Sequence, residues 1–205
     1  MIDALSEKGL PVIEPSSERT ITGAKLEVPF IHDQYFQLRT TGAQGRQVLV
    51  IGSGPKTDNW RALGCETLDI NPRVRPDLVA DANKLNAVVG LETRDTLVAE
   101  CVSLDPNGKK GIDLTKFMPQ AFAALKIGGQ LFFVSATSHT PSGPTGTVLN
   151  PNVFKSLMKE SGFKNIASWS GPILLMAQRT REIGDKVIVD NPIMQSAIIY
   201  YGQKI

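Results

Sequence analysis

The chain has 205 residues, 41% hydrophobic and 20% charged, which suits one globular domain with a full-sized core. Its 22 Lys+Arg against 20 Asp+Glu leave a net charge of +2, too near neutral for a nucleic-acid-binding face or a polybasic membrane patch. Two cysteines and two histidines are too few for a disulfide framework or a structural zinc site, so no metal is expected. No apolar run approaches the roughly 20 residues of a membrane span. The opening stretch, residues 1–15, lacks the basic-then-apolar pattern of a secretion signal, so a reducing cytoplasm is the expected location.

Residues 1–45 read as an N-terminal extension or lid, broken by Pro11, Pro15, Ser16 and Ser17. Within it, Val28 to Phe36 is apolar and aromatic enough to pack on something. His32 and Tyr35 belong to this segment, and packing on a sheet is the preferred reading for both. Residues 46–205 read as the main domain. Gln47 to Ile51 is a continuous apolar run ending at Gly52, as a strand buried on both faces requires. Cys65–Ile70, Asp77–Ala80, Thr96–Ala99 with Cys101–Val102, and Gln130–Val134 are the next strand candidates. Leu114, Phe117, Met118, Phe122 and Leu125 follow the 3.6 period of a helix that Asp113 can cap and Gly128 can end. Val153, Phe154, Leu157 and Met158 mark a second helix, with Asn150 as cap, Pro151 in the first turn and Gly162 as stop. Residues 163–205 read as further strands. Cys65 and Cys101 read as small buried apolar residues. Strands alternating with helices imply an α/β fold with a largely parallel sheet.

The sharpest local signal is the strand that runs straight into Gly52-Ser53-Gly54. Ligands of α/β sheets bind beyond the carboxyl ends of strands, and glycine lets a ligand approach the backbone there. Asp69 ends the second strand, where a carboxylate can accept from both ribose hydroxyls. Asp81 ends the third, placed either to accept from an exocyclic amine or to cap the segment that follows. A dinucleotide site favours a third glycine; Thr57 stands there, and Asp58 would repel a pyrophosphate. An adenosine ligand without phosphates fits this cradle better.

Residues 51–55 (Ile-Gly-Ser-Gly-Pro), 67–72 (Thr-Leu-Asp-Ile-Asn-Pro) and 79–82 (Val-Ala-Asp-Ala) resemble the first three motifs of class I S-adenosylmethionine-dependent methyltransferases. Residues 125–131 and 161–163 resemble two later motifs, so the likeness spans roughly 46–170, in order. The resemblance implies a Rossmann-like three-layer α/β sandwich whose mostly parallel central sheet carries an antiparallel C-terminal strand. It further implies that Gly52, Ser53 and Gly54 lie against the methionine part of S-adenosylmethionine, Asp69 on the ribose, Asp81 on the adenine, and Ile70 and Ala82 beside the ring. Three features depart from it: Val50 stands near the place of an acidic residue, the segment from Gly54 to Cys65 is short for a first helix, and the fourth motif is vague, with Asp95, Glu100 or Cys101 as its marker and no Asn/Asp-Pro-Pro-Tyr/Phe.

A protonated acceptor would need a base. His139, in a Gly/Pro-rich stretch after the fifth strand, is the first candidate and Glu100, at the end of the fourth, the second. A loop histidine and a solvated strand end are their plain alternatives. The expected activity is methyl transfer to a small-molecule acceptor. The rival readings are a non-catalytic scaffold on the same fold and an NAD(P)-dependent oxidoreductase.

Overall fold

The computed structural model describes residues 29–100, 102, 104–105, 111–136, 151–175, 180–183, 186–189 and 193–205. His139, Asn150 and Cys101 lie outside the described residues.

Strand β1 (Val48–Ile51) is buried along its whole length, as the apolar run demands. It is the middle of a parallel array with β2 (Glu66–Asp69), β3 (Leu78–Val79), β4 (Arg94–Glu100) and β5 (Leu125–Ala136). Three helices follow strands in this half: α2 (Thr57–Ala62), α3 (Leu85–Val89) and α4 (Leu114–Ala124). Beyond them come α5 (Pro151–Glu160), β6 (Lys164–Leu175), a separate ribbon of β7 (Thr180–Ile183) and β8 (Lys186–Val189), and β9 (Ile193–Gln203). The seven-stranded order is β3-β2-β1-β4-β5-β9-β6, with β9 antiparallel to both neighbours. This is the mixed, mostly parallel sheet that the resemblance implies.

Alternate residues of each strand face opposite layers. Leu49, Ile51, Leu97, Ala99, Leu131, Phe133 and Tyr200 meet Leu85 of α3, Phe117 and Met118 of α4, and Phe154 and Met158 of α5. Val48, Val50, Val98, Phe132, Val134, Ile199 and Tyr201 face the other way, onto Trp60 of α2 and onto an N-terminal helix. The three layers are therefore helices, sheet, helices.

That N-terminal helix, α1 (Pro29–Thr41), fills part of the stretch that its prolines and scattered charges mark as a preamble. Ile31, Tyr35 and Leu38, spaced by four and three residues, form its buried stripe. The helix crosses one face of the sheet from edge to middle. His32 lies tilted against Trp169 of β6 with ring centroids 4.5 Å apart. Tyr35 meets Phe132 of β5 at 6.0 Å. Arg39 reaches Glu100 of β4 at 3.1 Å. Packing on the sheet is thus the role of His32 and Tyr35.

Asp113 caps α4 as expected, its Oδ1 accepting from the Thr115 N–H at 3.0 Å. Gly128 does not end that helix. Leu125 already has extended backbone, and Gly128, at φ +83°, turns the chain inside the start of β5. In α5, Phe154 and Met158 are buried, but Val153 is 52% exposed and lies off the apolar face. Cys65 is buried, and burial pushes its thiol up to about 11. Among the described residues, no helix is long and apolar enough to cross a membrane.

Candidate functional site

After Ile51 the chain turns through Gly52 (φ +70°), Ser53 and Gly54 (φ +51°) at the carboxyl end of β1. The two glycines have different reasons. A Cβ on Gly52 would stand 2.2 Å from Val102 Cγ1, so Val102 must shift before any side chain fits there. At Gly54 nothing lies within 4 Å of the Cβ position. Its backbone faces open space, which a ligand could fill and a side chain would obstruct.

Hydrogen bonds to β2 and α2 hold this loop. The Gly52 N–H donates to the Leu68 carbonyl at 2.8 Å, and the Gly54 N–H donates to Asp69 Oδ2 at 2.9 Å. Ser53 is buried, its hydroxyl 2.8 Å from that of Thr57 in α2. Of the three loop residues, Ser53 therefore turns its side chain inward. Helix α2 has only six residues, in keeping with the short segment before Cys65.

Asp69 is the last residue of β2, and its other oxygen, Oδ1, accepts from the Asn71 N–H at 2.9 Å. Each carboxylate oxygen has a second lone pair, so Asp69 can accept from a diol while bracing the loop. Ile70, next to it, is 67% exposed. Asp69 pairs in register with Val79, and the Ala80 N–H donates to the Asp69 carbonyl at 3.1 Å. These bonds bring the β3 end beside that of β2. Asp81 caps the turn at 82–84, with Oδ1 accepting from the Asn83 N–H at 2.9 Å, and Ala82 is buried in the core behind it. The glycine turn, Asp69 and Asp81 thus stand side by side on three adjacent strand ends.

Glu100, the last residue of β4, is neither solvated nor alone. Its side chain is only 2% exposed, and Oε1 accepts from Lys56 Nζ at 2.7 Å and from Arg39 Nη1 at 3.1 Å. Oε2 is buried without a hydrogen-bond partner. Its two cationic partners were not singled out by the sequence pattern, because they lie 44 and 61 residues away in the chain. Lys56 sits in the turn that follows Gly54, and Arg39 on α1. Among the described residues, no cluster of three His, Cys, Asp or Glu could hold a metal ion. A depression of about 420 Å³, lined by Arg46, Glu66 and Arg94, lies at the opposite, amino end of the sheet and plays no part in this arrangement.

The residues present fit an adenosine group. An open glycine backbone, a carboxylate with free lone pairs and an exposed aliphatic side chain supply the close approach, the diol acceptor and the ring-facing surface that such a ligand needs.

No protein-family model and no curated protein matches the sequence. Solved structures do match the fold. A SAM-dependent methyltransferase from Archaeoglobus fulgidus superposes with a TM-score of 0.55 at 14% identity, covering 86% of this chain and 94% of that one. A 16S rRNA (adenine(1408)-N(1))-methyltransferase from Catenulisporales acidiphilia gives 0.52 at 13%, over 84% and 91%. Phosphoethanolamine N-methyltransferase 2 from Haemonchus contortus, in complex with phosphomonomethylethanolamine and S-adenosylhomocysteine, gives 0.53 at 11%, over 84% and 52%. The chain therefore has the fold of the SAM-dependent methyltransferases. Their acceptors range from an RNA base to a small phosphorylated amine, so the fold does not name the acceptor.

Proposed function

We propose that this chain is a SAM-dependent methyltransferase acting on a small-molecule acceptor. The observation that carries the reading is the Gly54–Asp69 bond. It couples a glycine turn with an open backbone to a carboxylate that retains lone pairs, at the carboxyl ends of neighbouring parallel strands. Bound S-adenosylmethionine would supply an electrophilic methyl group on its sulfonium. In this reading Gly52 and Gly54 present backbone to the methionine part, with Ser53 bracing the turn between them. Asp69 accepts from the ribose, Asp81 from the adenine amine, and Ile70 lines the ring, with Ala82 packed in the core behind Asp81. The protein's work is chiefly to hold the acceptor in line and to exclude water. His139 is the proposed proton acceptor wherever the nucleophile carries a proton. The near-zero net charge supports a small acceptor over a long polyanion.

Thermal-shift titration tests this against the scaffold and oxidoreductase readings. S-adenosylhomocysteine should raise the melting midpoint and NADH should leave it unchanged, since a ligand stabilises only a fold that binds it. A shift with NADH alone would favour the oxidoreductase, and no shift with either would favour the scaffold.

A further inference from the structure

We infer that Glu100 is the anchor of the glycine loop, and that Arg39 on α1 is a positioning residue that acts on ligand binding through it. The inference rests on the reading of that loop as the S-adenosylmethionine site. Lys56 closes the turn Gly54–Lys56, and its ammonium is 2.7 Å from Glu100 Oε1. Arg39 meets the same oxygen at 3.1 Å. The three side chains are only 15%, 2% and 7% exposed, in the order Lys56, Glu100, Arg39, so this is a buried network and not a surface pair. Removing one member of such a network leaves the others charged and desolvated, and they must move.

The network adds a polar link between elements that already share the sheet and its apolar core. Glu100 ends β4. Lys56 belongs to the loop that follows β1. Arg39 lies 5.8 Å from the ring centroid of Tyr35 on its own helix and 5.6 Å from that of Trp60 on α2. The space left between Arg39, Lys56, Asn59, Trp60 and Leu63 is about 10 Å³, no more than a water needs. Lys56 is thus tied to Glu100 just after the point where Asp69 holds the Gly54 N–H, so the loop is braced from both neighbouring strands. The N-terminal helix becomes part of the binding machinery, through one guanidinium.

Calorimetric titration of S-adenosylhomocysteine into the full chain tests this without any acceptor. Wild type, Glu100→Gln, Lys56→Met, Arg39→Met and Arg39→Lys are compared, each at a temperature well below its own melting midpoint. Glu100→Gln, Lys56→Met and Arg39→Met should weaken binding about tenfold or more, while Arg39→Lys, which keeps the charge, should recover most of it. Lys56→Met removes the most exposed member and covers the case in which a core variant fails to fold. If wild type binds and Lys56→Met and Arg39→Met bind equally well, whatever their melting midpoints, the anchor is refuted and the network is merely structural. If Glu100→Gln keeps wild-type affinity, the anchor is likewise refuted and a proton-transfer role is favoured. Failure of wild type itself to bind overturns the cofactor reading, a distinguishable result.

Discussion

The Gly54 N–H donates to Asp69 Oδ2 over 2.9 Å, tying the turn after β1 to the end of β2 across 15 residues of chain. One carboxylate thus shapes the loop and, in the proposed reading, also accepts from the ribose. Asp69→Ala removes both functions and should weaken S-adenosylhomocysteine binding by about tenfold or more. Asp69→Asn keeps one acceptor oxygen and should fall in between. Calorimetry on the three proteins checks the order; equal affinities would refute the ribose role.

The two glycines should separate stability from binding. Gly52→Ala drives a methyl into Val102 at a left-handed φ, so it should destabilise the fold by about 2–4 kcal/mol in urea unfolding. Gly54→Ala meets nothing and incurs only the conformational penalty of about 1–2 kcal/mol. It should nevertheless weaken S-adenosylhomocysteine markedly, because the methyl projects into the space left for the ligand. Unchanged binding by folded Gly54→Ala would show that the open backbone faces no ligand.

Helix α1 should behave as core. Leu38 is 2% exposed and sits among Val48, Trp60 and their neighbours, so Leu38→Ala should cost about 2–5 kcal/mol of unfolding free energy. A loss under about 0.5 kcal/mol, the level of an ordinary surface change, would mean that α1 is a detachable cover.

Acid should unfold the protein through carboxylates away from the site. Hydrogen bonding from Lys126, then from the Gln47 N–H, holds the Asp95 carboxyl below its usual range. Thr115 does the same for Asp113. At Asp77, burial acts upward but is outweighed by hydrogen bonds from Thr67 and Arg61. A carboxyl lowered in the folded state contributes stability above its unfolded value near pH 4, and loses it as pH falls through the folded value. The melting midpoint should therefore be insensitive to these groups above about pH 5 and drop below about pH 4. Asp95→Asn should flatten part of that drop; an unchanged acid limb would remove Asp95 from the account.

What the sequence made legible follows from locality. The strand-end positions of Gly52, Gly54, Asp69 and Asp81 could be read because each motif joins a short apolar run to a polar terminus within a few residues. Helix α1 was equally local, since Ile31, Tyr35 and Leu38 mark a stripe, but the prolines upstream and the polar residues between drew the segment toward a preamble. Gly128 misled because a glycine after an apolar helical pattern is a usual stop, whereas here it bends the entry to β5. The ion network could not have been read. Nothing in the sequence near Glu100 marks Lys56 or Arg39 as partners; only the register of β1 against β4 and the path of α1 across the sheet bring them together.

Whether the carboxyl ends of β1, β2 and β3 form an S-adenosylmethionine site is decided by titrating S-adenosylhomocysteine into the wild-type chain in a calorimeter. Saturable one-to-one binding that Asp69→Ala weakens is expected. No heat at any accessible temperature, together with no thermal shift, would contradict it.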